Sequence, residues 1–174
     1  KILDIGCGRA TELQLLKING WDCYGTEFST ENLEPLNDKG INIYRKENLV
    51  NCNFSESQFD TITLWHSLEH VTDINSLISE IHRVMKKGST LFIEVPNFNS
   101  WQARFNKSKW IYTEAPRHCN HFTKNSLIGY LRKHSFSISS ISTSSIEFGP
   151  IGFITNLFNA VTFEKNYLFK ILFK

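Results

Sequence analysis

The sequence predicts an α/β protein with a doubly wound, mostly parallel sheet and helices on both faces. Short apolar runs recur along the first 95 positions, and amphipathic helical stretches separate them. That alternation implies parallel strands joined by crossover helices. A glycine turn, Gly6-Cys7-Gly8, follows the first run directly and opens the first helical stretch. Its two glycines allow a tight turn and leave no side chain between backbone and ligand. In open sheets of this kind ligands bind at the carboxyl ends of the strands, where this turn falls.

The elements follow in order. Ile2, Leu3 and Ile5 form the first strand. Thr11 to Ile18 carries Leu13, Leu15, Leu16 and Ile18 at helical spacing and stops at Asn19-Gly20. Trp21 to Glu27 reads as the second strand. Ser29 is placed to cap a short helix through Leu36 that Gly40 closes. Ile41 to Tyr44 is the third strand and Phe59 to Trp65 the fourth. Asp73 can cap a helix from Ile74 to Lys87, with Leu77, Ile78, Ile81, Val84 and Met85 on one face and Gly88 at its end. Thr90 to Val95 is the fifth strand, stopped by Pro96. Residues 97–122 break this rhythm and are rich in aromatic, His and Arg side chains. Thr123 to His134 reads as a helix and Phe136 to Ile146 as a Ser/Thr-rich strand. Residues 1–148 therefore form one core with an insertion at 97–122, and 149–174 form an apolar C-terminal helical segment. Because the chain opens on a core strand and ends within that segment, we expect it to be a trimmed piece of a longer protein.

Composition narrows the class. A chain of 174 residues, 41% hydrophobic and 21% charged, suits one soluble globular domain. A net charge of +2 gives no pointer to nucleic acid. Cys7, Cys23, Cys52 and Cys119 show no paired spacing, which suits free thiols in a reducing cytoplasm. No apolar stretch reaches the roughly 20 residues that span a bilayer. The Phe, Leu and Ile side chains of 149–174, with Lys165, Lys170 and Lys174, either pack on the sheet or meet a membrane surface.

Three positions at successive strand ends suit a nucleotide-like cofactor. The glycine pair follows strand one. Glu27, 19 residues beyond Gly8, can accept two hydrogen bonds from a ribose diol. Asn48 after strand three can meet an adenine edge. A dinucleotide fingerprint would place a third glycine where Thr11 stands, and no Tyr-x-x-x-Lys pair serves hydride chemistry. Asp4 instead lies inside strand one, two residues before the first glycine. A buried carboxylate needs a partner. It can orient the glycine loop, or meet a cationic ammonium. A ligand with an amino acid end, such as S-adenosylmethionine, suits it better than a pyrophosphate.

The run Leu3-Asp4-Ile5-Gly6-Cys7-Gly8, then Gly25-Thr26-Glu27, then Phe59 to His70, then Gly88 to Asn97 resembles the class I S-adenosylmethionine-dependent methyltransferases. Pro116 to Thr123 resembles a narrower bacterial group associated with polysaccharide, glycolipid and quinone-type small-molecule methylation. The resemblance implies a Rossmann-like methyltransferase fold, S-adenosylmethionine as cofactor, and a donor site of Asp4, Gly6, Gly8 and Glu27, with Leu64, Trp65 and His66 near the methionine part. Asn48 departs from it, since the family usually carries Asp there; an amide oxygen can still accept the adenine bond. The sheet's last strand has no obvious counterpart.

The expected reaction is methyl transfer to a small-molecule, glycan or lipid-linked acceptor at a hydroxyl oxygen. Such an acceptor calls for a base, and the candidates are His66, at the mouth of strand four with a loop-orienting role as its alternative, and His118 and His121 in the 97–122 insertion, with a lid-bracing role as the alternative for each. Arg117, Trp101 and Trp110 are the expected acceptor contacts, with Arg117 suited equally to an acidic acceptor or to pinning the loop. Trp65 can offer its face to the sulfonium or pack on adenine. His66-Ser67-Leu68-Glu69-His70 matches an inverted zinc-peptidase pattern, but that pattern needs a helix and His66 ends a strand, so no metal is expected. Two other functions remain open at this point: a non-catalytic methyltransferase-like binding module and a nicotinamide-dependent oxidoreductase. The sequence does not set the oligomeric state.

Overall fold

The computed structural model describes residues 1–28 and 40–143. The expected helix Ser29–Leu36, the end of the expected strand at 144–146 and the whole segment 149–174 lie outside the described residues. The chain divides into two compact units, one from Lys1 to Val95 and one beginning at Pro96.

The first unit is built on a sheet of β1 (Ile2–Ile5), β2 (Cys23–Thr26), β3 (Asn42–Tyr44), β4 (Phe59–Trp65) and β5 (Met85–Glu94), in the order β3-β2-β1-β4-β5. Every pairing is parallel. The order reverses direction at β1, so the carboxyl ends of β1, β2 and β4 lie side by side. Leu3, Ile62 and Leu64 are completely buried, as central strands of a covered sheet require. Helix α1 (Thr11–Ile18) packs through Leu13 into a cluster with Ile2, Cys7, Ala10, Cys23 and Ile41. Tyr24, Tyr44, Phe54 and Phe59 form a second cluster with edge-on ring contacts, Tyr44 and Phe54 at 4.7 Å between centroids.

Helix α2 (Ile74–Val84) starts where its cap predicts, with Asp73 Oδ1 accepting from the Ser76 N–H at 3.0 Å. Leu77, Ile78, Ile81 and Val84 are its buried face. The helix is shorter than its pattern suggests. The N–H groups of Ser57 and Gln58 donate to the carbonyls of Arg83 and Val84, and Met85 turns extended to pair with Phe59. Tertiary pairing thus removes Met85–Lys87 from the helix, and Gly88 stands inside β5.

The second unit contains α3 (Trp101–Asn106), two short 3₁₀ turns at Lys107–Lys109 and Ile111–Thr113, and α4 (Lys124–Lys133). Ala103, Trp110 and Ile111 form its small core, with Tyr112 against them. A capping box starts α4, the Thr123 hydroxyl accepting from the Ser126 N–H while the Ser126 hydroxyl accepts from the Thr123 N–H. The expected strand from Phe136 is absent through residue 143. The Ser135 and Phe136 N–H groups turn back onto the carbonyls of Arg132 and Leu131, closing α4 rather than opening a strand. Among the described residues no helix is long and apolar enough to cross a membrane.

Candidate functional site

The glycine turn is hooked to the neighbouring strand by its backbone. The N–H groups of Gly6 and Cys7 both donate to the Thr26 carbonyl, at 2.9 and 3.0 Å. Gly6 adopts φ +74°, and a Cβ built there would lie 2.6 Å from Ser67 Oγ and 2.9 Å from Ser67 Cβ. Only glycine satisfies both constraints. Gly8 adopts φ +50°, with nothing within 4 Å of a Cβ built on it, so the loop is open on that side. Ala10, also left-handed, enters α1 with no side chain capping the helix's first N–H groups.

Glu27, just past β2, reaches this loop. Its Oε2 accepts from the Gly8 N–H at 2.9 Å, and its own N–H donates to the Tyr44 carbonyl on β3. Asp4 is 3% exposed on β1, and its Oδ1 accepts from the Thr63 hydroxyl of β4 at 2.7 Å. Burial pushes the Asp4 carboxyl up to about 6, the Thr63 hydrogen bond opposes that, and Glu12 and Glu27 add to it. Burial also pushes the Cys7 thiol in the turn up to about 12, which keeps it protonated and inert.

At the end of β4 the pleat alternates. Leu64 is fully buried, so its side chain belongs to the sheet's core, while Trp65 is 41% exposed. His66 takes φ +50° and lies between two carboxylates: Nδ1 is 3.4 Å from Glu69 Oε1 and Nε2 is 3.2 Å from Glu94 Oε1. Burial alone would lower this imidazole, but the two acids outweigh it and hold it above its ordinary value. Asn48 is exposed, and its Oδ1, expected at an adenine, accepts from the Val50 N–H at 3.1 Å to cap the turn Leu49–Cys52.

The first unit therefore brings Asp4, Gly6, Gly8 and Glu27 together at adjoining strand ends. It adds four residues that have no part in this site when read from sequence: Thr63, Ser67, Glu69 and Glu94. Thr63 has one visible signal, a hydroxyl between the apolar Ile62 and Leu64. The others depend on strand register and on a tight turn. This donor set fits S-adenosylmethionine: a tight glycine turn that is open beside Gly8, a carboxylate at the loop that could take a ribose diol, and a second carboxylate, buried and held by one hydroxyl, that could take an ammonium.

In the second unit His118 is buried. Its Nδ1 donates to the Tyr112 carbonyl at 2.7 Å, and its Nε2 is 3.5 Å from Glu114 Oε2. His121 is exposed, packs its ring on Phe98 at 4.7 Å and donates from Nε2 to the Thr113 carbonyl at 3.4 Å. Arg117 is exposed, with Nη1 3.7 Å from Glu114 Oε2. Trp101 is 62% exposed on α3, whereas Trp110 is 2% exposed in the unit's own core.

Comparison with known proteins gives a consistent result. A family profile described as a methyltransferase domain matches residues 1–141. A ubiquinone biosynthesis O-methyltransferase of Erwinia tasmaniensis is 26% identical over 125 residues, covering 67% of this chain and 51% of that protein. One from Pseudomonas syringae pv. tomato is 30% identical over 106 residues, covering 57% and 45%. The chain thus spans about half the length of the curated relatives it matches. A SAM-dependent methyltransferase structure from Archaeoglobus fulgidus superposes with a TM-score of 0.65 at 20% identity, covering 94% of this chain and 79% of that one. A Burkholderia thailandensis 1,6-didemethyltoxoflavin-N1-methyltransferase, solved with its substrate and S-adenosylhomocysteine, superposes at 0.63 with 18% identity over 85% and 65%. These structural likenesses bear on the fold alone.

Proposed function

Because the chain belongs to the class I S-adenosylmethionine-dependent methyltransferases, we propose that it transfers a methyl group from S-adenosylmethionine to a hydroxyl oxygen of a small-molecule, glycan or lipid-linked acceptor. The observation that carries the donor half is the Gly8–Glu27 hydrogen bond, which joins the side-chain-free loop to the acid at the end of β2. Oxygen as the target rests on the O-methyltransferase names of the relatives.

Each residue then has a task. Glu27 binds the ribose diol, and the loop at Gly6 and Gly8 lets the ligand approach the backbone. Asp4 answers the ammonium of the amino acid end. Trp65 presents an aromatic face at the end of β4, suited to a sulfonium or to adenine. Bound there, S-adenosylmethionine supplies an already electrophilic methyl group, so the protein's contribution is alignment and exclusion of water. The hydroxyl proton needs a receiver, and His121 suits that role. Its Nε2–H is committed to the Thr113 carbonyl, which leaves Nδ1 as the basic nitrogen. His118, with both nitrogens turned to Tyr112 and Glu114, braces its own segment. Arg117 and Trp101, both exposed, are the acceptor contacts we propose, and Trp110 supports them from the unit's core.

Incubation with methyl-labelled S-adenosylmethionine and a panel of phenols, catechols, sugars and lipid-linked sugars tests this. Label in an ether of one acceptor class, together with S-adenosylhomocysteine, supports it. Label on nitrogen or carbon refutes the oxygen assignment. Donor binding without transfer to any acceptor class would turn the reading toward a non-catalytic module.

A further inference from the structure

We infer that Thr63 is the positioning residue for the donor's amino acid end, acting through Asp4; this rests on the reading of Asp4 as the ammonium partner.

The parallel register of β1 and β4 sets Asp4 opposite Thr63, which places both side chains on the same face of the sheet. Both are buried, at 3% and 6% exposure. The Thr63 hydroxyl has one proton and two acceptors in reach, Asp4 Oδ1 at 2.7 Å and the Leu3 carbonyl at 3.5 Å. The shorter bond, to the carboxylate, is the one it makes. Among the described residues Asp4 has no other hydrogen-bond donor. A β-branched side chain in a strand has a stiff χ1, so the hydroxyl is a fixed pointer. It fixes the direction in which the Asp4 carboxylate faces.

It also sustains the charge. The groups facing Asp4 are Glu12 on α1, Glu27 beyond β2 and the Cys7 thiol of the turn. The two acids and burial oppose ionisation, and Thr63 opposes them. An Asp4 carboxyl that titrates at about 6 stands close to neutral pH. Loss of the hydroxyl moves its titration upward and leaves a neutral acid where the ammonium needs an anion. Donor affinity is therefore tied to pH through Thr63.

The test is calorimetric titration with S-adenosylhomocysteine between about pH 5.5 and 8.5, on wild type, Thr63→Val and Thr63→Ser. Wild type is expected to lose affinity below about pH 6. Thr63→Val keeps the shape without the hydroxyl. With its Asp4 titration raised by about one pH unit, it is expected to lose about twofold in affinity at pH 7 and more below that, and to recover as pH rises. Thr63→Ser keeps the hydroxyl but not the branch that fixes it, so it is expected to keep the wild-type pH profile with a smaller loss of affinity than Thr63→Val. A pH-independent loss in Thr63→Val, or an unchanged profile, overturns the role of Thr63 alone. A wild type that binds S-adenosylhomocysteine at no pH overturns the methyltransferase reading with it. Carbon NMR of the Asp4 carboxyl in wild type, Thr63→Val and Thr63→Ser reads the effect of the hydroxyl directly. A midpoint raised in Thr63→Val and less so in Thr63→Ser is expected, and equal midpoints in all three would contradict the inference.

Discussion

The Gly8 N–H donates to Glu27 Oε2 at 2.9 Å, so the loop after β1 and the acid after β2, 19 residues apart in sequence, are one unit in space. A carboxylate has two acceptor oxygens, which suits a ribose diol. Hydrogen bonds to charged groups contribute about 1.5–3 kcal/mol each. Glu27→Ala is therefore expected to weaken S-adenosylhomocysteine binding by at least about tenfold. Glu27→Gln, which keeps an acceptor for Gly8 but not the charge, should fall between. Calorimetric dissociation constants for the three proteins check this order.

Gly6→Ala is expected to destabilise the fold as well as the site. The substitution puts a Cβ at φ +74° and within 2.6 Å of Ser67 Oγ and 2.9 Å of Ser67 Cβ. Left-handed strain alone costs about 1–2 kcal/mol, and the clash adds to it. Gly8→Ala has the same kind of backbone cost with nothing within 4 Å, so its stability loss should be smaller. Denaturant midpoints of the two variants separate the two contributions. In a Gly6→Ala, Ser67→Gly double variant the steric part should be recovered and the backbone part should remain.

Asp4 carries a stability cost that rises with pH. Burial raises its carboxyl from 3.8 to about 6. A folded value above the unfolded one means that the folded state holds its proton more tightly. The cost is absent below about pH 4, grows between about 4 and 6, and is complete above that. A rise of this size corresponds to about 3 kcal/mol. Asp4→Asn should raise the melting temperature of the ligand-free protein at pH 7. The difference from wild type should vanish as pH falls to about 4. The same variant should bind S-adenosylhomocysteine poorly. Paired melting curves at several pH values read the first effect and calorimetry reads the second.

The two candidate histidines should separate by what each substitution damages. His121→Gln is expected to lower kcat by about 10²–10⁴-fold, with little change in melting temperature, because His121 is exposed. His118→Gln removes a buried ring bonded to Tyr112 and placed near Glu114, so it should lower the melting temperature. Comparison of kcat and melting temperature for the two variants decides between base and brace.

Much of the first unit is legible in the sequence because its signals are local. β1 and β2 are short runs and α1 starts at a glycine turn, so spacing places Asp4, Gly6, Gly8 and Glu27 around their strand ends. The Asp73 cap and the Thr123 start are legible for the same reason. What is not legible depends on distant pairing. The basic last turn carries the helical pattern on to Lys87, yet the helix ends at Val84, because the deciding contact, Met85 with Phe59, is a matter of register. The partnership of Asp4 with Thr63 is likewise set by register. His66 between Glu69 and Glu94 needs both a tight turn and the β4–β5 pairing. Beyond Phe136, alternating Ser and Ile mimics a strand, but the backbone closes α4 instead.

The central claim is that the strand ends around Asp4 and Glu27 hold S-adenosylmethionine. Calorimetric titration of the wild-type chain with S-adenosylhomocysteine, beside NAD, tests it most directly. Saturable one-to-one binding of the sulfur ligand is expected, with no binding of NAD. Absence of heat with S-adenosylhomocysteine, or equal binding of NAD, would contradict it.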